Sequence, residues 1–465
     1  MLDKAELLLP AGSLVKLKTA VLYGADAVYA GTPDMCLRAQ SKFSLEELKE
    51  GIEFVHTHHK KIYLTLNLFM HNRDIEKLPV FLETLKTLKP DGVLIADPGV
   101  FQYVRQNAPE LNLFVSTQAN ICSWAAVKFW QSQGAKLCVL GREVTFEELK
   151  EIRQKCPDIL LETFMHGAMC MSYSGRCLIS NYLADRSANQ GKCAHCCRWH
   201  YKLRLRLKDG TIKEILIDEH NKDSFEFLLE EEFRPGEYFE VVEDEHGGYI
   251  LNSKDMCLMP RLPDLLSIGI DSLKVEGRNK TEYYAGTVAR VYRKAIDDWY
   301  RSPKTWDYHT YMNELYTLQN RGYCLGFHDG KLTNISQNYE YTRTLGDWLF
   351  AGSVVEWQDN DAIFEIRNYI NSNEEIEFLI PDNLDVIKLH LAEFEDASTG
   401  EMTSKVSAGQ GKAIRLRPTV WDRPVEEIKK LLPQYTIARK FSPLTGENEQ
   451  MLRHKETEFK TLCKD

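Results

Sequence analysis

Eight short apolar runs alternate with amphipathic segments of helical length over residues 6–278, and no other feature constrains the fold as strongly. The runs are Leu7–Pro10, Ala27–Ala30, Ile62–Phe69, Gly92–Asp97, Leu113–Gln118, Leu137–Arg142, Leu160–Met165 and Ser272–Glu276. Between the first seven lie segments such as Ser44–His58 and Phe146–Lys155, whose apolar residues recur three and four apart, the spacing of one helix face. Ser44-Leu45-Glu46-Glu47 and Thr145-Phe146-Glu147-Glu148 each pair a hydroxyl cap with a glutamate three residues on, a helix-start signal. Eight β/α units predict an α/β fold, a TIM-type (β/α)8 barrel. A doubly wound open sheet satisfies the same alternation, but no Gly-x-Gly-x-x-Gly turn follows the first run, which weakens its dinucleotide-binding form.

The alternation breaks before the eighth run. Residues 200–255 carry period-two patterns (Leu203, Leu205, Leu207; Ile212, Ile215, Ile217), which predict a small β insert. After the eighth run, Tyr284, Val288, Val291, Tyr292, Ile296 and Trp299 mark one face of a long helix over Thr281–Arg301. Beyond about residue 345, runs such as Val354–Trp357, Ala362–Ile366, Ile376–Leu379 and Lys412–Leu416 fit a small β-barrel. The expected organisation is a barrel over 1–300 with a cysteine segment at 162–199 and a β insert at 200–255. A helical linker over 301–345 and a C-terminal β-barrel over 346–465 follow.

The chain has 465 residues, 43% hydrophobic and 27% charged, with a net charge of −10. This reads as a soluble globular protein, without the roughly 20 apolar residues in a row that span a bilayer. Met1–Glu6 lacks a basic region followed by an apolar one, which predicts a cytoplasmic location and reduced thiols. Five of the twelve cysteines lie between 170 and 197, as Cys170, Cys177, Cys193, Cys196 and Cys197. They follow the seventh strand, at the mouth where barrel enzymes place their chemistry. Soft thiolates select zinc or iron–sulfur clusters. Zinc sites favour pairs two to four residues apart; the six-residue gap between Cys170 and Cys177 fits a cluster better.

These residues carry a resemblance. Glu162, Phe164, Gly167, Ala168, Met169, Cys170, Gly175, Cys177, Ile179 and Ser180 match the signature of the peptidase U32, or collagenase-like, family. The segments Glu6–Gly12, Gly24–Gly31, Val115–Asn120 and Ser272–Arg278 resemble further motifs of that family. Within it, Met165–Ala168, Asn189-Gln190-Gly191, Cys197-Arg198-Trp199, Glu243–Gly247 and Asn252–Asp255 resemble the branch that makes 5-hydroxyuridine in tRNA. The resemblance implies oxygen-independent hydroxylation of a wobble uridine, prephenate as hydroxyl source, and a 4Fe-4S cluster on Cys170, Cys177, Cys193 and Cys197. Cys196 is then a neighbour or substitute, and Cys257 an alternative ligand. The implied partners are tRNA and a small dicarboxylate donor, with no membrane and no named electron-transfer partner. Sister branches hydroxylate ribosomal RNA or a ubiquinone precursor; a non-catalytic, cluster-carrying accessory protein is a further alternative.

The family name implies proteolysis. A cysteine protease needs a thiolate beside a histidine base, and His166, His195 and His200 lie near the cysteines in sequence. Neither His-Glu-x-x-His nor Gly-x-Ser-x-Gly occurs, so the metallo- and serine-hydrolase signatures are missing. Strand ends place Asn67, Asp97, Gln118, Arg142, His166, Glu276 and Arg278 at the expected mouth. His166 and Glu276 are the candidate acid–base residues. Arg142, Arg176 and Arg278 suit a dianionic substrate, with Asn67 and Gln118 beside them, because guanidinium pairs carboxylates in bidentate fashion. Lys202, Arg204, Arg206 and Lys208 alternate with leucines and would form one basic strand face, for RNA or for solvent.

Overall fold

The computed structural model describes residues 4–32, 43–68, 70–169, 179–184, 196, 253–330, 344–409 and 411–463, and the backbone of five strands between 204 and 249. Seven parallel strands come first: β1 (Glu6–Ala11), β2 (Ala27–Gly31), β3 (Lys61–Leu66), β4 (Gly92–Ile95), β5 (Leu113–Val115), β6 (Leu137–Val139) and β7 (Leu160–Ala168). The insert contributes β8 (Arg204–Arg206), β9 (Ile212–Glu214), β10 (Phe227–Glu230), β11 (Tyr238–Asp244) and β12 (Gly247–Tyr249). The chain re-enters the barrel through β13 (Asp255–Cys257) and β14 (Ser272–Val275). β14 pairs in parallel with both β7 and β1, so the eight-stranded barrel closes as expected. Its strands are buried along most of their length because helices cover the outside and side chains fill the inside. Ser44 and Thr145 form full capping boxes with Glu47 and Glu148. Asp97 caps a helix too, accepting from the backbone of Gly99 and Val100.

β7 runs past the barrel rim. Its last residues pair antiparallel with β13 (Ala168 with Asp255, Gly167 with Met256, His166 with Cys257). The short strand β15 (Tyr323–Cys324) adds to the far side of β13, within the stretch expected as a helical linker; the helix His309–Leu315 lies there as well. Gly167 has φ +114, and a Cβ there would stand 2.3 Å from the Glu276 carbonyl oxygen. Only glycine fits so close a backbone approach at positive φ.

The C-terminal strands form an eight-stranded antiparallel sheet from Trp348–Gln358 to Ile437–Phe441 and their neighbours. Among the described residues no pairing joins its edges, so the expected C-terminal β-barrel takes the form of an open half-barrel. Phe364, Phe378, Ile414 and Trp421 belong to its own buried hydrophobic core. Polar contacts fasten it to the main barrel. The Tyr23 hydroxyl donates to the Leu379 carbonyl at 2.7 Å and accepts from the Ile437 amide at 2.9 Å. Arg290, fully buried, pairs with Glu314 at 2.6 Å, and Glu314 pairs with Arg439 at 3.0 Å. Arg439 in turn reaches Glu377 at 2.8 Å. The final helix, Glu447–Leu462, returns to the barrel through a Glu458–Lys254 pair at 2.6 Å and Lys455, which donates to the carbonyls of Asn320 and Leu345.

Glu314 holds two buried guanidiniums, and the pull of Arg439 and Arg290 keeps its carboxyl below the usual range although burial opposes this. Removing one partner of a buried pair costs about 3–5 kcal/mol, because charge is left unpaired. Glu314→Ala is expected to lose at least about 3 kcal/mol in denaturant unfolding, whereas exchanging the exposed Glu83 of the Lys86 pair should cost below about 0.5 kcal/mol. Equal, small losses would refute the role assigned to this network.

Candidate active site at the barrel mouth

The barrel interior holds polar side chains at several levels. In the lowest layer the Glu6 carboxylate accepts from Tyr63 at 2.7 Å, from Lys61 at 3.1 Å and from Ser272 at 3.1 Å. Above it, Lys274 donates to Glu162 at 2.6 Å, both side chains being buried. Burial holds the Glu162 carboxyl above its ordinary range even beside that cation. The Lys274 ammonium lies 4.5 Å from the ring centre of Tyr29 and 5.6 Å from that of Phe164. These rings carry the guanidiniums of the top layer: Arg142 lies 3.7 Å from the Phe164 centroid and Arg278 5.6 Å from that of Tyr29, within cation–π range.

At the rim, Glu276 gathers the groups together. Its Oε2 lies 3.8 Å from Arg142 Nη2 and 3.4 Å from the Tyr29 hydroxyl. Arg278 donates to Thr65 Oγ1 at 3.4 Å. Asn67 donates to Gln118 Oε1 at 3.2 Å, which also accepts from Ser116 at 2.5 Å. Arg142 is 9% and Arg278 8% exposed, yet Arg142 Nε is buried with no hydrogen-bond partner among the described residues. A buried donor without an acceptor is costly, and an anionic ligand at the mouth would satisfy it. Of the expected site residues, Arg142 approaches Glu276, Asn67 meets Gln118, and Arg278 lies by the Tyr29 ring whose hydroxyl reaches Glu276.

His166 does not join them. Between Lys274 and Val275 the β7–β14 register shifts, so Phe164 pairs with Lys274 but His166 pairs with Val275. A one-residue bulge reverses the face of the next side chain. The imidazole is thus turned outward, packed against Tyr284, Tyr292 and Tyr323 at 5.5–5.9 Å between ring centres, with Nδ1 3.2 Å from the Tyr292 hydroxyl. Burial lowers its pKa to about 3, so this imidazole does not fit the acid–base role expected of it near neutral pH. Cys257, opposite His166 on β13, is a buried thiol pushed up to about 12 by burial. Neutral imidazole beside neutral thiol is the reverse of the ion pair that activates a cysteine protease.

Cys170, Cys177, Cys193, Cys197 and Arg176 lie outside the described residues, as do Lys202 and Lys208. Met169, which β7 delivers to the rim immediately before Cys170, is buried, and so is Cys196. Among the described residues no three metal-ligating side chains cluster. The donor set itself, soft thiolates following a strand that ends at the mouth, suits an iron–sulfur cluster. Arg204 and Arg206 stand on either side of Leu205 along the backbone of β8, which pairs antiparallel with β9. Tyr29, Thr65, Ser116 and Lys274 were not among the expected site residues. Alternation along Ser272, Lys274 and Glu276 was the available signal for Lys274; Tyr29 and Ser116 stand inside motifs already singled out.

Comparison with known proteins adds to this geometry. The family model described as peptidase family U32 matches residues 12–338. The "tRNA hydroxylation protein P" of Escherichia coli (strain K12) is 39% identical over 89% of this chain and 93% of its own length. The "tRNA hydroxylation protein P1" of Bacillus subtilis (strain 168) is 35% identical over 82% of this chain and 84% of its own. The "23S rRNA 5-hydroxycytidine C2501 synthase" of Escherichia coli (strain K12) is 30% identical, over 63% of this chain but 39% of its own length.

Burial also makes His166 an acid-sensitive element. Its pKa is depressed to about 3, and that of His328, buried against the Val144 carbonyl, to about 4. Above the unfolded value of about 6.5 both states are neutral and the histidines contribute no pH dependence; below it only the unfolded chain takes the protons, so stability falls by up to about 1.4 kcal/mol per pH unit per group. His166→Phe, which keeps an aromatic ring in the tyrosine cage, should flatten the loss of stability between about pH 6 and pH 4. An unchanged slope in denaturant unfolding would show that His166 is not held neutral.

Proposed function

This chain belongs to peptidase family U32, and we propose that it is a tRNA hydroxylase that converts wobble uridine to 5-hydroxyuridine. The observation that carries the reading is the rim where the buried Arg142 approaches Glu276 and the buried Arg278 lies by the Tyr29 ring, in a chain similar over nearly its whole length to proteins named for tRNA hydroxylation. Arg142 and Arg278 hold the carboxylates of a small dicarboxylate donor, with prephenate the proposed hydroxyl source, through charge-assisted hydrogen bonds. Arg176, on the cysteine segment, supplies a third cation. Asn67 and Gln118 present amide groups to the polar edge of an extruded uracil, as base-modifying enzymes require of a flipped base. Glu276 exchanges the proton at the reacting centre. Arg204 and Arg206 draw the tRNA backbone toward the mouth. A tRNA substrate places the protein in the cytoplasm. Among the described residues no helix is long and apolar enough to cross a membrane.

Cys170, Cys177, Cys193 and Cys197 would hold a 4Fe-4S cluster beside this mouth. When bound, it supplies one-electron transfer or structural support, since four thiolates complete the ligand set of a cube. Anaerobically purified protein should contain about four iron and four sulfide per chain, lost on Cys170→Ala, Cys177→Ala or Cys193→Ala. Stoichiometric zinc without sulfide would replace the cluster with a different metal site.

The functional test is nucleoside analysis of tRNA. A strain lacking the gene should lose 5-hydroxyuridine and its derivatives, and wild-type protein should restore them. Arg278→Ala should not restore them although its iron content is unchanged. Normal 5-hydroxyuridine in the deletion strain, with no second pathway, would contradict the function; full rescue by Arg278→Ala would contradict only the donor site. Replacing Arg204 and Arg206 by Gln should weaken tRNA binding and lower its salt slope by about 2; an unchanged slope would return that strand to solvent.

A further inference from the structure

We propose that Tyr29 is a positioning residue for Glu276, setting both the place and the proton affinity of its carboxylate; this rests on the acid–base role of Glu276 given above. The Tyr29 hydroxyl has a single proton, and among the described residues it lies within reach of the Val275 carbonyl at 3.0 Å and Glu276 Oε2 at 3.4 Å. Its ring is itself fixed, with Lys274 at 4.5 Å and Arg278 at 5.6 Å from the centroid. The proton therefore has a neutral acceptor when the carboxyl is protonated and an anionic one when it is ionised. A donor able to turn toward a charge as it forms favours the charged state. Tyr29 thereby ties the ionisation of Glu276 to the same ring that carries Arg278, a donor-binding guanidinium.

Other groups surround Glu276, and their charges bear on its titration. Arg142 approaches the same Oε2 from the end of β6 at 3.8 Å. From the helix Glu282–Arg301, the Tyr284 hydroxyl donates to the Glu276 backbone carbonyl at 2.8 Å, with Lys280 5.5 Å from the Tyr284 ring centre. Asp255 of β13, paired with Arg321, acts electrostatically on Tyr284. Lys274 and Glu162 lie one layer below. Of these groups, Tyr29 carries a hydrogen bond to the carboxylate that can be removed without removing a charge or a ring.

The test titrates Glu276 in the full chain by infrared difference spectroscopy between about pH 4 and pH 9, the Glu276→Gln spectrum identifying the carboxyl band. Tyr29→Phe removes one hydrogen bond to a charged group and should raise the Glu276 midpoint by about one pH unit. Placing 3-fluorotyrosine at position 29, a stronger donor with the same ring, should lower it, and keeps the question decidable should the phenylalanine variant fold poorly. Equal midpoints in all three proteins, or a Glu276 that stays ionised throughout in each, would overturn the proposal. The underlying reading is tested separately in cells. Loss of 5-hydroxyuridine in Glu276→Gln supports the acid–base role, whereas normal levels would discard that role without altering what the spectra say of Tyr29.

Discussion

The one-residue register shift between β7 and β14 decides what the barrel mouth is made of. Up to Phe164 and Lys274 the two strands are in step, and both side chains face the lumen. One residue later His166 is aligned with Val275, and the imidazole passes to the outer face. The same irregularity lets β7 run on beyond the rim, where β13 pairs with it and Gly167 lets the Glu276 backbone pass at close range. Glu276, Gly277 and Arg278 then leave the barrel at the place where β7 hands the chain to the cysteine segment. A barrel closed by strict alternation would carry a histidine in the lumen and would have less room for the glutamate beside it.

Once this closure is set, electrostatics governs the interior. Lys274, Arg142 and Arg278 face two carboxylates, Glu162 and Glu276, with aromatic rings between the cations. Buried ion pairs are poor sources of stability, because desolvation consumes most of the attraction. Their retention in a barrel core that apolar side chains could fill points to a demand other than folding. Guanidinium groups at the mouth are suited to pair with carboxylates in bidentate fashion. The half-barrel contributes at a distance. Through Arg290, Glu314 and Arg439 it braces the helix Glu282–Arg301, whose tyrosines enclose His166 and hold the Glu276 backbone.

Much of this was legible in the residues. Buried parallel strands read as continuous apolar runs, so all eight barrel strands stand within a few residues of their expected bounds. Asn67, Gln118, Arg142, Glu276 and Arg278 could be placed at the mouth because each stands at or just past the C-terminal end of such a run. What escaped did so for local reasons. β13 and β15 have three and two residues, too few for any period to show. The bulge that turns His166 outward is a property of two strands about a hundred positions apart, not of either segment. Asp97 ends an apolar run as the mouth residues do, yet serves as a helix cap; polarity at a strand end does not separate the two roles. The half-barrel differs from a closed barrel only in whether its edge strands meet, which alternation within single strands does not encode.

The central claim is that Arg142 and Arg278 with Glu276 form an anion-binding mouth in which a dicarboxylate donor sits. Calorimetric titration of anaerobically purified full-length protein with prephenate tests it most directly. The account predicts saturable one-to-one binding that weakens by at least about tenfold, or about 1.4 kcal/mol, in Arg142→Ala and in Arg278→Ala at unchanged iron content. Binding of the same strength in both variants, or none in the wild-type protein, would contradict it.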